Sequence, residues 1–284
     1  MTPPRLDVAL VDRGLARSRT HARRIIEEGR ARVDGRPADK PALAVAETAE
    51  LTVVDVPDGV EYASRAAHKL AGALDDLGLD VTGLRCLDAG ASTGGFTDVL
   101  LRRGAARVVA VDIGHDQLAP HVARDPRVDV HDGTSIRGLD PDAIGGTVDL
   151  TVADLSFISL RLVVGDLARA TRPGGRLLVM VKPQFEVGRG RLGRGGVVRD
   201  DAARRDAVLG VARAAGQTGL ALLGAGRSAL PGQDGNIEFF LSLRHEGAPC
   251  VVGAEACDMI ERALQEPRGV PGAPSDEHGK VHGS

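Results

Sequence analysis

Residues 84–105, LRCLDAGASTGGFTDVLLRRGA, read as a buried strand, a glycine-rich turn and the opening of a helix. Leu84, Cys86 and Leu87 lead into Asp88, and Gly90, Gly94 and Gly95 then allow a tight bend nearly free of side chains. Thr97 or Asp98 is expected to begin the helix, with Gly104 as its C-terminal stop. Such a turn lets backbone N–H groups approach a bound ligand closely. Its spacing differs from the G-x-G-x-x-G of dinucleotide enzymes. An acid two residues before the first glycine suits a cofactor with an amino group, as S-adenosylmethionine has. A plain strand-to-helix turn is the competing reading.

Downstream, strands and helices alternate, which predicts a mostly parallel sheet covered on both faces. The apolar run ARVVAVDIG ends at Asp112, 22 residues past Gly90, where nucleoside-binding sheets place an acid for the ribose hydroxyls. RVDVHDGTSI then brings Asp132 to a strand end, placed for an adenine amino group. Both features suit NAD as well as S-adenosylmethionine. The next two strands deliver Asp154 (TVDLTVADLSFISL) and Lys182 (GGRLLVMVKPQFE) at the carboxyl edge of the sheet, where ligands bind. GLALLGAGRSAL and GNIEFFLSLRH read as a closing pair of strands. Glu238 interrupts the apolar run of the second, so it occupies an edge or faces the site.

The chain has 284 residues, a hydrophobic content of 43% and a net charge of −3, the profile of a soluble globular protein rather than a nucleic-acid coat. No signal peptide or membrane-spanning run is visible, and Cys86, Cys250 and Cys257 form no C-x-x-C pair. A reducing cytoplasm and no metal are therefore expected; the sequence does not fix the oligomeric state, for which a monomer is favoured. Only six residues are aromatic, none of them Trp, which disfavours an RNA surface built of stacked rings.

Four basic residues are lysine, namely Lys40, Lys69, Lys182 and Lys280, and arginine fills the other basic positions. A lysine amine is compact and its pKa can shift, whereas a guanidinium is a wide fork that keeps its proton. Two of the four flank the expected site. Lys69 falls beside the apolar stripe Ala67, Leu70, Leu74 and Leu77 of one helix, where a snorkelling side chain is the bland reading.

Residues 1–40 hold ten Arg/Lys against six Asp/Glu. A short apolar helix stopped by Gly14 precedes a second one, capped by Ser18 and ended by Gly29, with Ala22, Ile25 and Ile26 on its buried face. Arg19, Arg23 and Arg24 are expected on its solvated side, and Asp34-Gly35 turns a small hairpin. Pro57-Asp58-Gly59 marks a linker. The boundaries expected are 1–59 for this domain, 60–63 for the linker, 64–246 for the large domain and 247–284 for an extension whose last part is disordered.

In order, RLDVALVDRGLARSRTHARRIIEEGRARVDGRPADKP resembles the RNA-binding module first known from a small-subunit ribosomal protein. The resemblance implies RNA contacts by Arg5, Arg17, Arg19, Arg23, Arg24 and Lys40, through phosphates. A helix-turn-helix that reads DNA is disfavoured because a hairpin follows at once. SRAAHKL, DAGASTGGFTDVLL, ADLSFISL, KPQFEVGRG, GGVVRD and NIEFF occur in the order seen in the TlyA family, which bears a haemolysin name but acts as rRNA 2′-O-methyltransferases. The chain looks like the longer, actinobacterial type, which modifies cytidines on both ribosomal subunits. The family usually has glycine after Ser-Arg, where this chain has Ala66.

The catalytic half is similar to the FtsJ group, whose Lys–Asp–Lys–Glu tetrad falls on Lys69, Asp154, Lys182 and Glu238. Family likeness also implies a Rossmann-like S-adenosylmethionine-dependent methyltransferase sheet with helices on both faces, beside a small N-terminal α+β RNA-binding domain. The methyl donor is expected against Asp88, Gly90, Ala91, Ser92, Thr93, Gly94, Gly95, Phe96, Asp112, Ile113, Asp132 and Gly133. Arg65, Arg137 and Phe157 join the expected RNA contacts, Phe157 as the support for a flipped base or else as core packing. The loop 188–200, GRGRLGRGGVVRD, is read as unable to pack a core and free to close over RNA. The rivals are a base amino-methyltransferase, a carbon-5 methyltransferase using cysteine, a non-catalytic ribosome-assembly protein and a membrane-active haemolysin.

Overall fold

A computed structural model describes residues 3–27, 29–54, 62–232 and 234–265. The chain divides into two compact units, Met1–Arg65 and Ala66–Ser284. Pro57-Asp58-Gly59 and the tail after Gln265 lie outside the described residues.

The first unit opens with helices α1 (Leu6–Asp12) and α2 (Arg19–Glu27). The Ser18 hydroxyl accepts the His21 N–H at 3.1 Å, so the expected cap forms, and Gly14 and Gly29 adopt the positive φ that ends each helix. Strands β1 (Ala31–Val33) and β2 (Arg36–Pro37) pair across Asp34-Gly35, both at positive φ, and β3 (Leu51–Val53) pairs with β1 on its other side. Leu6, Leu10, Ile25 and Ile26 are the largest fully buried side chains of this small core.

The second unit is a seven-stranded sheet. Its strands are β4 (Arg85–Ala89), β5 (Arg107–Val111), β6 (Val128–His131), β7 (Val148–Ala153), β8 (Thr171–Val181), β9 (Leu220–Arg227) and β10 (Phe239–His245). They lie in the order β6-β5-β4-β7-β8-β10-β9. The first five pair in parallel, and β10 runs antiparallel between β8 and β9. The order reverses between β4 and β7, and a crevice outside the carboxyl ends of the strands is the usual ligand site at such a point.

Helices α3 (Ala66–Asp76), α4 (Gly95–Arg102) and the short α5 (Pro120–Ala123) precede β4, β5 and β6. Then come α6 (Val164–Ala170), the single turn α7 (Pro183–Glu186), α8 (Asp201–Gln217) and α9 (Ala254–Gln265). α4 starts at Gly95 behind a left-handed Gly94, two or three residues earlier than the sequence suggests. The Thr97 hydroxyl is already spent on the Asp88 carboxylate at 2.6 Å, so it cannot cap. The supposed extension also proves part of this unit, because Ile260 and Ala263 of α9 join the main apolar core.

Candidate active site

Four strand ends meet at the crevice. Asp154 follows β7, its N–H bonded to the Ala89 carbonyl of β4 at 3.1 Å. Lys182 follows β8, where Pro183 stops the strand and begins α7. β10 runs the other way, so its beginning lies at this edge. The Phe239–Val181 pairing sets Glu238 level with Lys182. Glu238 therefore stands just before an inner strand at the crevice edge, not at a sheet edge, which explains an acid inside an apolar run.

The Lys182 ammonium lies 2.6 Å from Asp154 Oδ1, as an ion pair rather than an aligned hydrogen bond, and donates to Ser156 Oγ at 2.8 Å. Lys69, on α3, donates to Glu238 Oε2 at 2.6 Å; the two side chains are only 9% and 2% exposed. Snorkelling is thereby excluded for Lys69. A Cβ at Gly232 would stand 2.6 Å from Glu238 Oε1, so the bare glycine backbone makes room for this carboxylate. Lys69, Asp154, Lys182 and Glu238 are thus brought together as two ion pairs.

The glycine turn is shaped for close approach. Gly90 has φ +87°, and a Cβ there would meet the Asp154 carbonyl at 2.8 Å. Ser92, exposed and at φ +45°, donates its N–H to Asp112 Oδ2 at 2.8 Å, while Gly114 N–H bonds Asp112 Oδ1 at 2.7 Å. Thr93 is exposed beside it. Ile113 is exposed next to Asp112, an apolar surface of the kind that packs on a purine. Asp132 accepts the Asp116 N–H at 2.8 Å, and the His115 ring lies against Gly133.

Not every expected cofactor residue turns outward. Phe96 is buried and stacks on Phe240 at 6.3 Å, so it belongs to the core. Gly94 makes space for Leu118 and Val122, and Ala91 and Gly95 are buried. Asp88 is fully buried, with Oδ2 bonded to Thr97 and Oδ1 without a hydrogen-bond partner among the described residues. Burial, with the charges of Asp154 and Asp112 added, raises its carboxyl to about 7, against the opposing bond from Thr97. An orphaned acid beside a bare glycine backbone and an exposed apolar residue fits a cofactor with a cationic amine and a purine.

A proton consequence follows. A folded-state pKa above the ordinary carboxylate value costs stability progressively as pH rises from about 4 towards 7. An ammonium ligand favours the ionised acid and so expels its proton. Binding of S-adenosylhomocysteine is expected to release protons near pH 6.5, weaken towards lower pH, and lose this pH dependence in Asp88→Asn. Calorimetry in buffers of different ionisation enthalpy reads the release, and an unchanged pH profile in the variant refutes the role.

Sequence reasoning missed three side chains that hold the site in place. Ser156 shares the Lys182 amine. Glu186 of α7 accepts from the Ser159 hydroxyl at 2.6 Å, Leu160 N–H at 2.7 Å and Arg161 Nε at 3.1 Å, fixing the loop after Asp154. Asn236, buried, accepts the Val198 N–H at 2.9 Å and donates to the Gly196 carbonyl at 3.1 Å. With Val198 itself buried, the 188–200 loop is anchored to the core at its far end, contrary to the reading that it packs nothing. These residues stand inside the quoted motifs, but their roles depend on partners distant in sequence.

Phe157 is 93% exposed at φ +64°, its ring tilted on Phe185 at 5.4 Å. Core packing is therefore ruled out for it. The Cys86 thiol is pushed up to about 12, first by burial, and so is no nucleophile. Arg17, Lys40 and Arg137 are exposed, and Arg24 and Arg65 half-buried. Arg19 and Arg23 are not merely solvated, for both pair with the buried Asp7, as does Arg5. Among the described residues no cluster suits a metal ion, and no helix is long and apolar enough to cross a membrane.

The FtsJ-like methyltransferase family matches residues 62–245, and the S4 domain matches residues 4–51. The 16S/23S rRNA (cytidine-2′-O)-methyltransferase TlyA of Mycobacterium tuberculosis is 52% identical over 92% of this chain and 97% of its own length. The 23S rRNA (cytidine-2′-O)-methyltransferase TlyA of Campylobacter jejuni is 32% identical over 63% of this chain and 69% of its own. A solved structure from Streptococcus thermophilus, named a hemolysin, is 34% identical and superposes with a TM-score of 0.72, covering 93% of this chain and 96% of that one. By these matches over nearly its whole length, the chain belongs to the TlyA family of FtsJ-like methyltransferases that carry an N-terminal S4 domain.

Proposed function

We infer that this protein is a cytoplasmic, S-adenosylmethionine-dependent methyltransferase that modifies the 2′-hydroxyl of cytidine in small- and large-subunit rRNA. The observation that carries the reading is the Lys182–Asp154 pair, which places a paired amine at the crevice where the sheet order reverses. A relative covered almost end to end is named for both rRNAs, which favours both subunits as substrates.

Asp88, Asp112 and Asp132, with the Gly90–Thr93 backbone, would hold the cofactor, and S-adenosylmethionine when bound supplies a methyl group on a positively charged sulfur. A ribose hydroxyl is a poor nucleophile, so the protein must align it with that carbon and help its proton leave. Lys182 hydrogen-bonds the hydroxyl and stabilises the negative charge that develops on oxygen. Asp154 and Ser156 aim the amine, and Lys69, held by Glu238, adds a second positive charge.

Phe157, held outward on a strained backbone, is suited to stack on an extruded base. Stacking of one base contributes about 1–3 kcal/mol. Phe157→Ala should therefore reduce kcat/KM for ribosomal subunits by roughly tenfold or more, with cofactor affinity unchanged and Phe157→Tyr largely rescued. Equal rates for Phe157→Ala and the parent would remove it from the site. The overall reading is tested by incubating the protein with labelled S-adenosylmethionine and unmodified ribosomal subunits. Label on cytidine ribose supports it; label on a base, or none, overturns it.

A further inference from the structure

The N-terminal unit contains a charge cluster that the transfer chemistry does not use. Asp7 is 0% exposed, yet it sits in the first turn of α1 and contacts three arginines that are each about half exposed. Its Oδ1 accepts from Arg5 Nε at 3.0 Å. Its Oδ2 accepts from Arg5 Nη2 at 3.2 Å, Arg19 Nη2 at 3.3 Å and Arg23 Nε at 3.3 Å. Arg5 immediately precedes α1, Arg19 begins α2, and Arg23 lies one turn further along the same face. One buried carboxylate thus collects cations from two helices.

The charge count leaves a surplus of two positives on a patch whose guanidinium forks still face solvent. Hydrogen bonds from Arg5 above all hold the Asp7 carboxyl well below the usual carboxylate range, against the cost of burial, so it stays ionised at neutral pH. Leu6, Leu10, Ile25 and Ile26 already pack the two helices, and a buried ion is weak evidence of added stability. What the acid supplies is order. Arginine side chains are otherwise flexible, and a fixed planar fork loses less freedom when it meets a phosphate.

We propose that Asp7 is the positioning residue of the RNA surface of this unit, gathering Arg5, Arg19 and Arg23 into one rigid group that takes successive phosphodiester oxygens of folded RNA. The inference rests on the reading that rRNA is the substrate.

Charge sign separates it from simple electrostatics. Asp7→Asn makes the chain more positive, and attraction to phosphates alone then predicts tighter binding. Positioning predicts weaker binding, by about tenfold, with KM for subunits rising more than kcat falls. Binding of ribosomal subunits by the full chain would be measured by filter retention, with circular dichroism confirming the fold. Asp7→Asn that binds as tightly as the parent, or tighter, overturns the proposal. Should that variant fail to fold, Arg5→Lys keeps the charge but loses the two-pronged contact; it should bind several-fold more weakly, and parental affinity would overturn the proposal equally. The triple variant Arg5→Gln, Arg19→Gln, Arg23→Gln distinguishes the two levels. If it binds normally, the RNA surface itself is elsewhere; if it fails while Asp7→Asn binds normally, only the role of Asp7 falls.

Discussion

Lys182→Ala is expected to abolish methyl transfer, lowering single-turnover rate by at least about a thousandfold, while cofactor and subunit binding stay within a few-fold of the parent. The amine is paired with Asp154 at the crevice, and removing a group aimed at developing charge commonly costs 10²–10³ or more in rate. Binding should survive because the residues proposed to hold the cofactor lie at the ends of β4, β5 and β6, and those proposed to hold RNA lie mainly in the first unit. Lys182→Arg should fail as well. A wide fork cannot reproduce one nitrogen lying 2.6 Å from Asp154 and 2.8 Å from Ser156. Turnover above a tenth of the parental rate in Lys182→Ala would remove Lys182 from the mechanism.

The parts legible in the sequence are those written locally. Glycine spacing, apolar runs that stop on an acid or a lysine, and the Ser18 and Asp34-Gly35 signals each depend on a few neighbouring residues, and all appear in the structure. Asp88, Asp112, Asp154 and Lys182 could be placed because a parallel sheet brings every strand's carboxyl end to one edge. For Glu238 the apolar run leaves an edge and the site both open, since its position follows from β10 running antiparallel between two strands, and the family resemblance alone chooses the site. Phe96 misled because its place in the glycine motif says nothing of Phe240, 144 residues later, on which it stacks. Asp7, Glu186 and Asn236 were overlooked for the same reason. A single acid or amide carries no periodic signal, and its role exists only once distant partners are folded around it. Scarce lysine was the more useful composition signal, for it marked Lys69 and Lys182 before any geometry was known.

The Lys69–Glu238 pair should couple the largest stability effect to the chemistry. Both side chains are nearly excluded from water, so removing one partner strands a buried charge at a cost of about 3–5 kcal/mol. For a domain of this size each kcal/mol moves Tm by about 2–4 °C. Glu238→Ala is therefore expected to lower Tm by roughly 6–20 °C, visible in a thermal scan, and to reduce transfer even well below that temperature. A small shift would mean that water reaches Lys69 and that the pair is not buried in the energetic sense. The double variant Lys69→Met, Glu238→Leu should recover most of the lost stability, because apolar replacements of similar volume remove both desolvation costs together. It should not recover transfer. Restored activity in that variant would reduce the pair to scaffolding. Stability without activity would mean that a costly ion pair, packed against a glycine that leaves room for it, is kept for the positive charge it holds beside the reacting hydroxyl.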